Sequence, residues 1–185
     1  VLNTHATAIR TAAENNVDFN SVAYIVVHLG GGNSVILWKD GKLAETVPAD
    51  AGSFGAERCG AIRGLKLIQL IKERGIEEVE SWFGGKGGFV SLLGTNELKK
   101  VSEMVAEGNA EAKKYEDALA YQLSKSISSL LPAADGKIDG IIFTGGGAYW
   151  EGLVANVENR LSYLNVPVYR QPGENEMQAL AEGAY

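Results

Sequence analysis

Two runs of three glycines, Gly30-Gly31-Gly32 and Gly145-Gly146-Gly147, are the residues whose type and placement point most directly to chemistry. Each follows an apolar, partly β-branched run: Tyr24 to Leu29 before the first, and Ile138 to Phe143 with Thr144 before the second. Without a Cβ, the backbone N–H groups of such a turn can approach phosphate oxygens closely, and in open α/β sheets ligands sit beyond the carboxyl ends of the strands. Either triplet alone reads as a tight turn; two of them after two buried strands point to a nucleotide. The sequence excludes two common nucleotide signatures. No G-x-x-x-x-G-K-[ST] is present, and Gly30 to Val35 does not fit G-x-G-x-x-G, since a strand rather than a helix follows it. His28, at the end of the first run, reads either as a satisfied core histidine or as a donor facing phosphate. His5 stands far from it, so the two histidines make no case for a metal cluster. Cys59 is the only cysteine, which rules out a disulfide framework, and with no histidine beside it in sequence it reads as a structural thiol.

The elements that would position these residues follow from periodicity. Val1 to Glu14 has helical spacing but begins without a methionine or an N-cap, which reads as a fragment. After the strand at Tyr24 to Leu29, Ser34 to Lys39 and Lys42 to Val47 flank Asp40-Gly41, a dipeptide suited to a two-residue hairpin turn that needs positive φ at both positions. Three antiparallel strands are expected there. Pro48 to Gly60 reads as a long loop holding Asp50, Glu57, Arg58 and Cys59; Ile62 to Ile71 reads as a helix, with Gly75 as its stop. Trp82 to Phe89 carries too many glycines for a helix and is expected to be a packed loop, its aromatics core or interface residues. Thr95-Asn96-Glu97 starts a helix, Gly108-Asn109 breaks it, and Ala110 to Leu131 forms another, with Tyr115, Leu119, Gln122, Leu123, Ile127 and Leu130 on one face. The remainder alternates: strand Ile138 to Phe143, helix Glu151 to Leu161, strand Val166 to Tyr169, helix Glu176 to Ala184. The expected fold class is α/β, a mixed sheet of three antiparallel strands followed by alternating helices and parallel strands, in one domain over residues 1–185.

Composition narrows the function. A chain of 185 residues with 45% hydrophobic and 22% charged residues has the balance of a soluble globular domain, without a membrane span or a signal segment, and we expect it in the cytoplasm. Its net charge of −6 and lack of a basic cluster argue against nucleic acid as a partner. Glycine, at 23 of 185 residues, is well above the usual share and calls for close backbone approach.

Several stretches, in order along nearly the whole chain, resemble the butyrate kinase branch of the acetate and butyrate kinase family. They are Val27 to Val35, Glu57-Arg58-Cys59-Gly60, Lys86 to Asn96, Thr144 to Tyr149, and Pro172 to Ala184. The resemblance implies a ribonuclease H-like, actin-like ATPase fold. It also implies ATP- and Mg2+-dependent, reversible phosphorylation of a short-chain fatty acid carboxylate to an acyl phosphate. It further implies that this chain is the C-terminal domain of a two-domain kinase whose N-terminal domain it lacks, and that the full-length protein is a homo-oligomer. Carried over by residue, His28, Gly30, Gly31, Gly32 and Asn33 would serve the phosphates and Gly145, Gly146 and Gly147 the adenosine. Glu176 would stand near magnesium, with Glu174 its most confusable neighbour. Arg58 would hold the carboxylate and the transferring phosphoryl group, a task suited to a planar guanidinium; the alternative is a surface arginine paired with Glu57. The chain departs from the family in having Cys59 where relatives carry serine. Rival readings are an acetate or branched-chain acid kinase of the same family and a non-catalytic nucleotide-binding actin-like module.

Overall fold

The computed structural model describes residues 1–173. Its framework is a five-stranded mixed sheet of order β3-β2-β1-β4-β5. The strands are β1 (Ala23–His28), β2 (Ser34–Lys39), β3 (Lys42–Val47), β4 (Gly140–Gly145) and β5 (Val168–Pro172). The first three are antiparallel neighbours; β4 and β5 add in parallel to β1. The hairpin turn is as expected, with Asp40 at φ 52 and Gly41 at φ 74.

The unbroken apolar run of β1 follows from burial on both faces. Ile25 and Val27 belong to a core that includes Leu37, Ile141, Phe143, Leu123 and Val154, whereas Tyr24 and Val26 pack with Ile36, Trp38, Ala8 and Ala12 on the other side. The helix α1 (Leu2–Glu14) covers the second face, where His5 stacks on Trp38 at 4.5 Å as a packing residue. On the first face lie α5 (Leu98–Ala106), α6 (Ala110–Ser129) and α7 (Glu151–Arg160). Asn109 caps α6, its Oδ1 accepting from the N–H groups of Glu111 and Ala112 at 3.0 Å, which is why the chain restarts a helix directly after Gly108.

Three expectations need correction. Trp82 to Phe89 is not a loop throughout: α2 (Gly64–Arg74) is followed by α3 (Ile76–Gly84), which takes in Trp82 and Phe83, and by α4 (Gly88–Leu93), which takes in Phe89. Only residues 85–87 separate them, because glycine at helix ends adopts the conformations other residues avoid; Gly85 has φ 141 and Gly88 φ 55. The strand expected at Ile138 to Phe143 lies two residues further on. Its start is set by pairing rather than composition: Asp139 N–H donates to Ala23 O at 2.8 Å and Ala23 N–H to Asp139 Oδ2 at 2.7 Å, so regular pairing with β1 begins at Gly140. Likewise β5 begins at Val168 rather than Val166. The last expected helix, Glu176 to Ala184, lies outside the described residues.

The loop between β3 and α2 is held by backbone contacts. A Cβ built on Gly55 would lie 2.7 Å from Gly31 O and 2.9 Å from Gly32 Cα, so only a bare backbone fits there. Gly55→Ala should therefore lower stability by about 1–3 kcal/mol, as overpacking against unyielding main chain does. Urea denaturation of both proteins measures this, and an unchanged midpoint would contradict the packing.

Candidate functional site

Parallel pairing of β1 with β4 aligns His28 with Thr144, so the two glycine turns leave adjacent strands side by side at their carboxyl ends. Leu29 bridges them, its N–H donating to Thr144 O at 2.9 Å and its O accepting from Gly147 N–H at 3.0 Å. Between the turns opens a cleft of about 350 Å³, lined among others by Gly30, Gly31, Glu57, Asn96, Lys99 and Gly146.

The glycines divide by role. Gly146 is exposed, and a Cβ there would meet nothing within 4 Å; it presents backbone to the cleft. Gly145 (φ 84) and Gly147 are buried against Leu29 and shape the turn. In the first triplet Gly31 is exposed beside the Glu57 carboxylate, Gly30 lies against the His28 ring, and Gly32 lies against Arg58.

Asn33 fixes the first turn from within. It is 3% exposed; its Oδ1 accepts from Gly30 N–H at 3.3 Å, and its Nδ2 donates to Phe54 O at 2.7 Å and Ser53 Oγ at 3.2 Å. The amide thus joins the turn to the 48–60 loop. Main-chain bonds complete the junction: Ala56 N–H and Glu57 N–H donate to Gly30 O and Gly31 O at 3.3 and 2.8 Å. His28 sits between the two turns, against Gly30 and Gly145, and Asn3 Nδ2 donates to its Nδ1 at 3.4 Å. The Nε2 atom faces Gly30.

Arg58 is exposed and flanks Gly32, where a Cβ would lie 2.7 Å from its Cδ and 3.3 Å from its Nε. It makes no ion pair with Glu57. That carboxylate instead accepts from Asn96 Nδ2 at 2.6 Å across the cleft mouth. Cys59 is partly buried, Sγ donating to Gly60 O at 3.4 Å, and burial pushes its thiol pKa up, which disfavours the nucleophilic thiolate. Among the described residues no group of three His, Cys, Asp or Glu side chains could hold a metal ion; Glu174 and Glu176 lie outside them. Nor is any described helix long and apolar enough to cross a membrane.

The structure thus brings together His28, Gly30, Gly31, Gly32, Asn33, Arg58, Gly145, Gly146 and Gly147. Reading the sequence left out Lys99 and the Glu57–Asn96 bond. Asn96 falls in a stretch that carries the resemblance, but no spacing rule connects residues 57 and 96; Lys99 looks like any exposed helix lysine.

Residues 5–170 match the Acetokinase family. The chain belongs to that family. It is 38% identical to butyrate kinase 2 of Clostridium acetobutylicum over 98% of its own length and 52% of the relative's. The chain therefore spans about half the length of that curated relative. Its fold is that of acetate kinase from Porphyromonas gingivalis, with TM-score 0.87, 18% identity, and coverage of 98% of this chain and 53% of that one. Acetate kinase from Entamoeba histolytica superposes with TM-score 0.84 at 21% identity, over 97% and 55% of the two chains. These matches bear out the α/β, actin-like ATPase class for this acetokinase-family chain.

Because Asn33 satisfies buried groups on both sides, Asn33→Ala should cost about 2 kcal/mol, the penalty for leaving buried polar atoms without partners. Chemical denaturation tests this; an unaltered unfolding free energy would show that the turn does not need the amide.

Proposed function

We propose that this chain is the C-terminal, actin-like domain of a two-domain kinase that uses ATP to phosphorylate a short-chain fatty acid, butyrate or a close analogue, forming an acyl phosphate reversibly. The observation that carries this reading is the order of groups across the site: Gly146, the cleft, Gly31, then Gly32 with Arg58 against it. A nucleotide in the cleft would have bare backbone on both sides. Its phosphate tail would run along the first glycine turn towards the guanidinium. The 38% identity to a butyrate kinase supports a carboxylate acceptor.

In the proposed reaction a carboxylate oxygen attacks the γ-phosphorus in line. A new P–O bond forms as the bond to the β–γ bridging oxygen breaks, and ADP leaves with that electron pair. The acceptor is already ionised at neutral pH, so no general base is required. What the protein must supply is position and positive charge. Arg58 would brace the transferring oxygens, while the backbone of Gly30 to Gly32 and the His28 ring would meet the phosphates. Magnesium on the nucleotide would neutralise phosphate charge, held mainly by phosphates and water; the resemblance assigns Glu176 to it. An exposed apolar stripe on α2, with Leu65 at 86% and Ile68 at 52% exposed, supports a homo-oligomer of the complete protein. The expectations of no nucleic-acid partner and a cytoplasmic location belong to this reading.

Trapping of acyl phosphate with hydroxylamine, run on the complete gene product with acetate, butyrate and a branched acid, tests the reaction. Absence of acyl hydroxamate from every acid would favour a non-catalytic nucleotide-binding module. Arg58→Lys in that protein should reduce turnover by about a hundredfold or more with little change in ATP binding, because charge without the planar fork cannot brace the transition state. Near-normal steady-state turnover in the folded variant would remove Arg58 from the mechanism. Gly146→Val, with open space at its Cβ, should fold normally yet weaken ATP by about tenfold or more through loss of close backbone approach. Titration calorimetry decides; unchanged affinity would return the second triplet to a simple turn.

A further inference from the structure

Gln122 is a half-buried polar residue of α6, beside the buried Leu119 and Leu123. A half-buried amide in that setting costs free energy unless it is hydrogen-bonded. Its Oε1 accepts from the backbone N–H of Phe54 at 3.1 Å. Phe54 is 7% exposed and lies in the 48–60 loop, outside any helix or strand, so its N–H has no ladder partner. The same residue's carbonyl accepts from Asn33 Nδ2 at 2.7 Å, and Asn33 in turn holds Gly30 N–H. One residue further on, Gly55 N–H donates to Arg58 O at 2.9 Å. A continuous set of bonds therefore runs from α6 through Phe54 to the first glycine turn on one side and to the Arg58 backbone on the other.

Beside this loop is a pocket of about 320 Å³, open to solvent on one side, lined by Val47, Ala51, Gly52, Gln122, Lys125 and Ser126 among others. The Phe54 ring packs edge-on against Phe89 at 5.3 Å, which fixes the side chain, not the peptide.

We infer that Gln122 is a positioning residue for phosphoryl transfer: by holding the Phe54 N–H it sets the height of the Arg58 loop over the first glycine turn. The inference rests on the proposed role of Arg58. Loss of the acceptor leaves the buried Phe54 N–H without a partner, the loop shifts to regain one, and a guanidinium displaced by a fraction of an ångström loses transition-state contacts before it loses ground-state binding.

Gln122→Met keeps side-chain length without a comparable acceptor, and Gln122→Glu keeps the acceptor oxygen. In the complete kinase Gln122→Met should lower kcat by about tenfold with KM for ATP within about twofold, and Gln122→Glu should recover most of kcat. Wild-type kcat in a folded Gln122→Met protein, or equal loss in both variants, overturns the inference. Hydrogen exchange reads the same bond without turnover. In Gln122→Met the Phe54 amide should exchange at least about tenfold faster while the amides of α6 keep their protection. Unchanged Phe54 exchange also overturns it. If the wild-type protein forms no acyl phosphate, the kinase reading fails, whereas the exchange result still decides whether Gln122 holds the loop.

Discussion

Three stretches of chain far apart in sequence meet at main-chain distance around Gly55: the first glycine turn, the 48–60 loop, and the start of α4. Gly55 abuts Gly31 and Gly32, while Gly88 lies against the carbonyls of Gly55 and Arg58. Hydrogen bonds follow the same contacts, with Phe89 N–H and Val90 N–H donating to Gly55 O and Ala56 O at 3.1 Å. Side chains at these positions would hold the segments apart, open the cleft and carry Arg58 away from Gly32. Gly31, Gly32, Gly55 and Gly88 serve this contact, which needs small residues as much as flexible ones.

The parallel β1–β4 pairing adds the second requirement. Register alone sets the turns side by side, since His28 lies opposite Thr144 and the turns begin within two residues of those partners. The pairing joins residues more than a hundred positions apart in the chain and is stabilised by a core on both faces of the sheet. Such long-range closure costs chain entropy that only extensive apolar burial offsets. The site therefore depends on the core as a whole and not on the turns themselves.

Polar side chains refine what the backbone allows. Asn33, Gln122 and Asn96 each bond across from one segment to another through an amide, and for the buried Asn33 and the half-buried Gln122 that group donates and accepts without carrying charge into the interior. The Asn96 bond to Glu57 holds that carboxylate away from Arg58, leaving the guanidinium's charge unneutralised by its sequence neighbour.

The hairpin, the glycine turns and most helices are legible in the residues because turn chemistry and periodicity are local. Asp40-Gly41 allows little but a tight reversal, and Asn109 caps α6 from its own side chain. The family, and with it the fold, could be read from motifs in order along the chain. Tertiary structure decided the rest. Residues 82–89 became helix ends around a short glycine link, because packing against the 48–60 loop outweighs the low helix propensity of glycine. Which glycines face the cleft, that Glu57 bonds Asn96 and not Arg58, and that Gln122 reaches the Phe54 peptide all depend on contacts between segments distant in sequence. Local pattern carries no information about such contacts until the sheet and its helices close around one core.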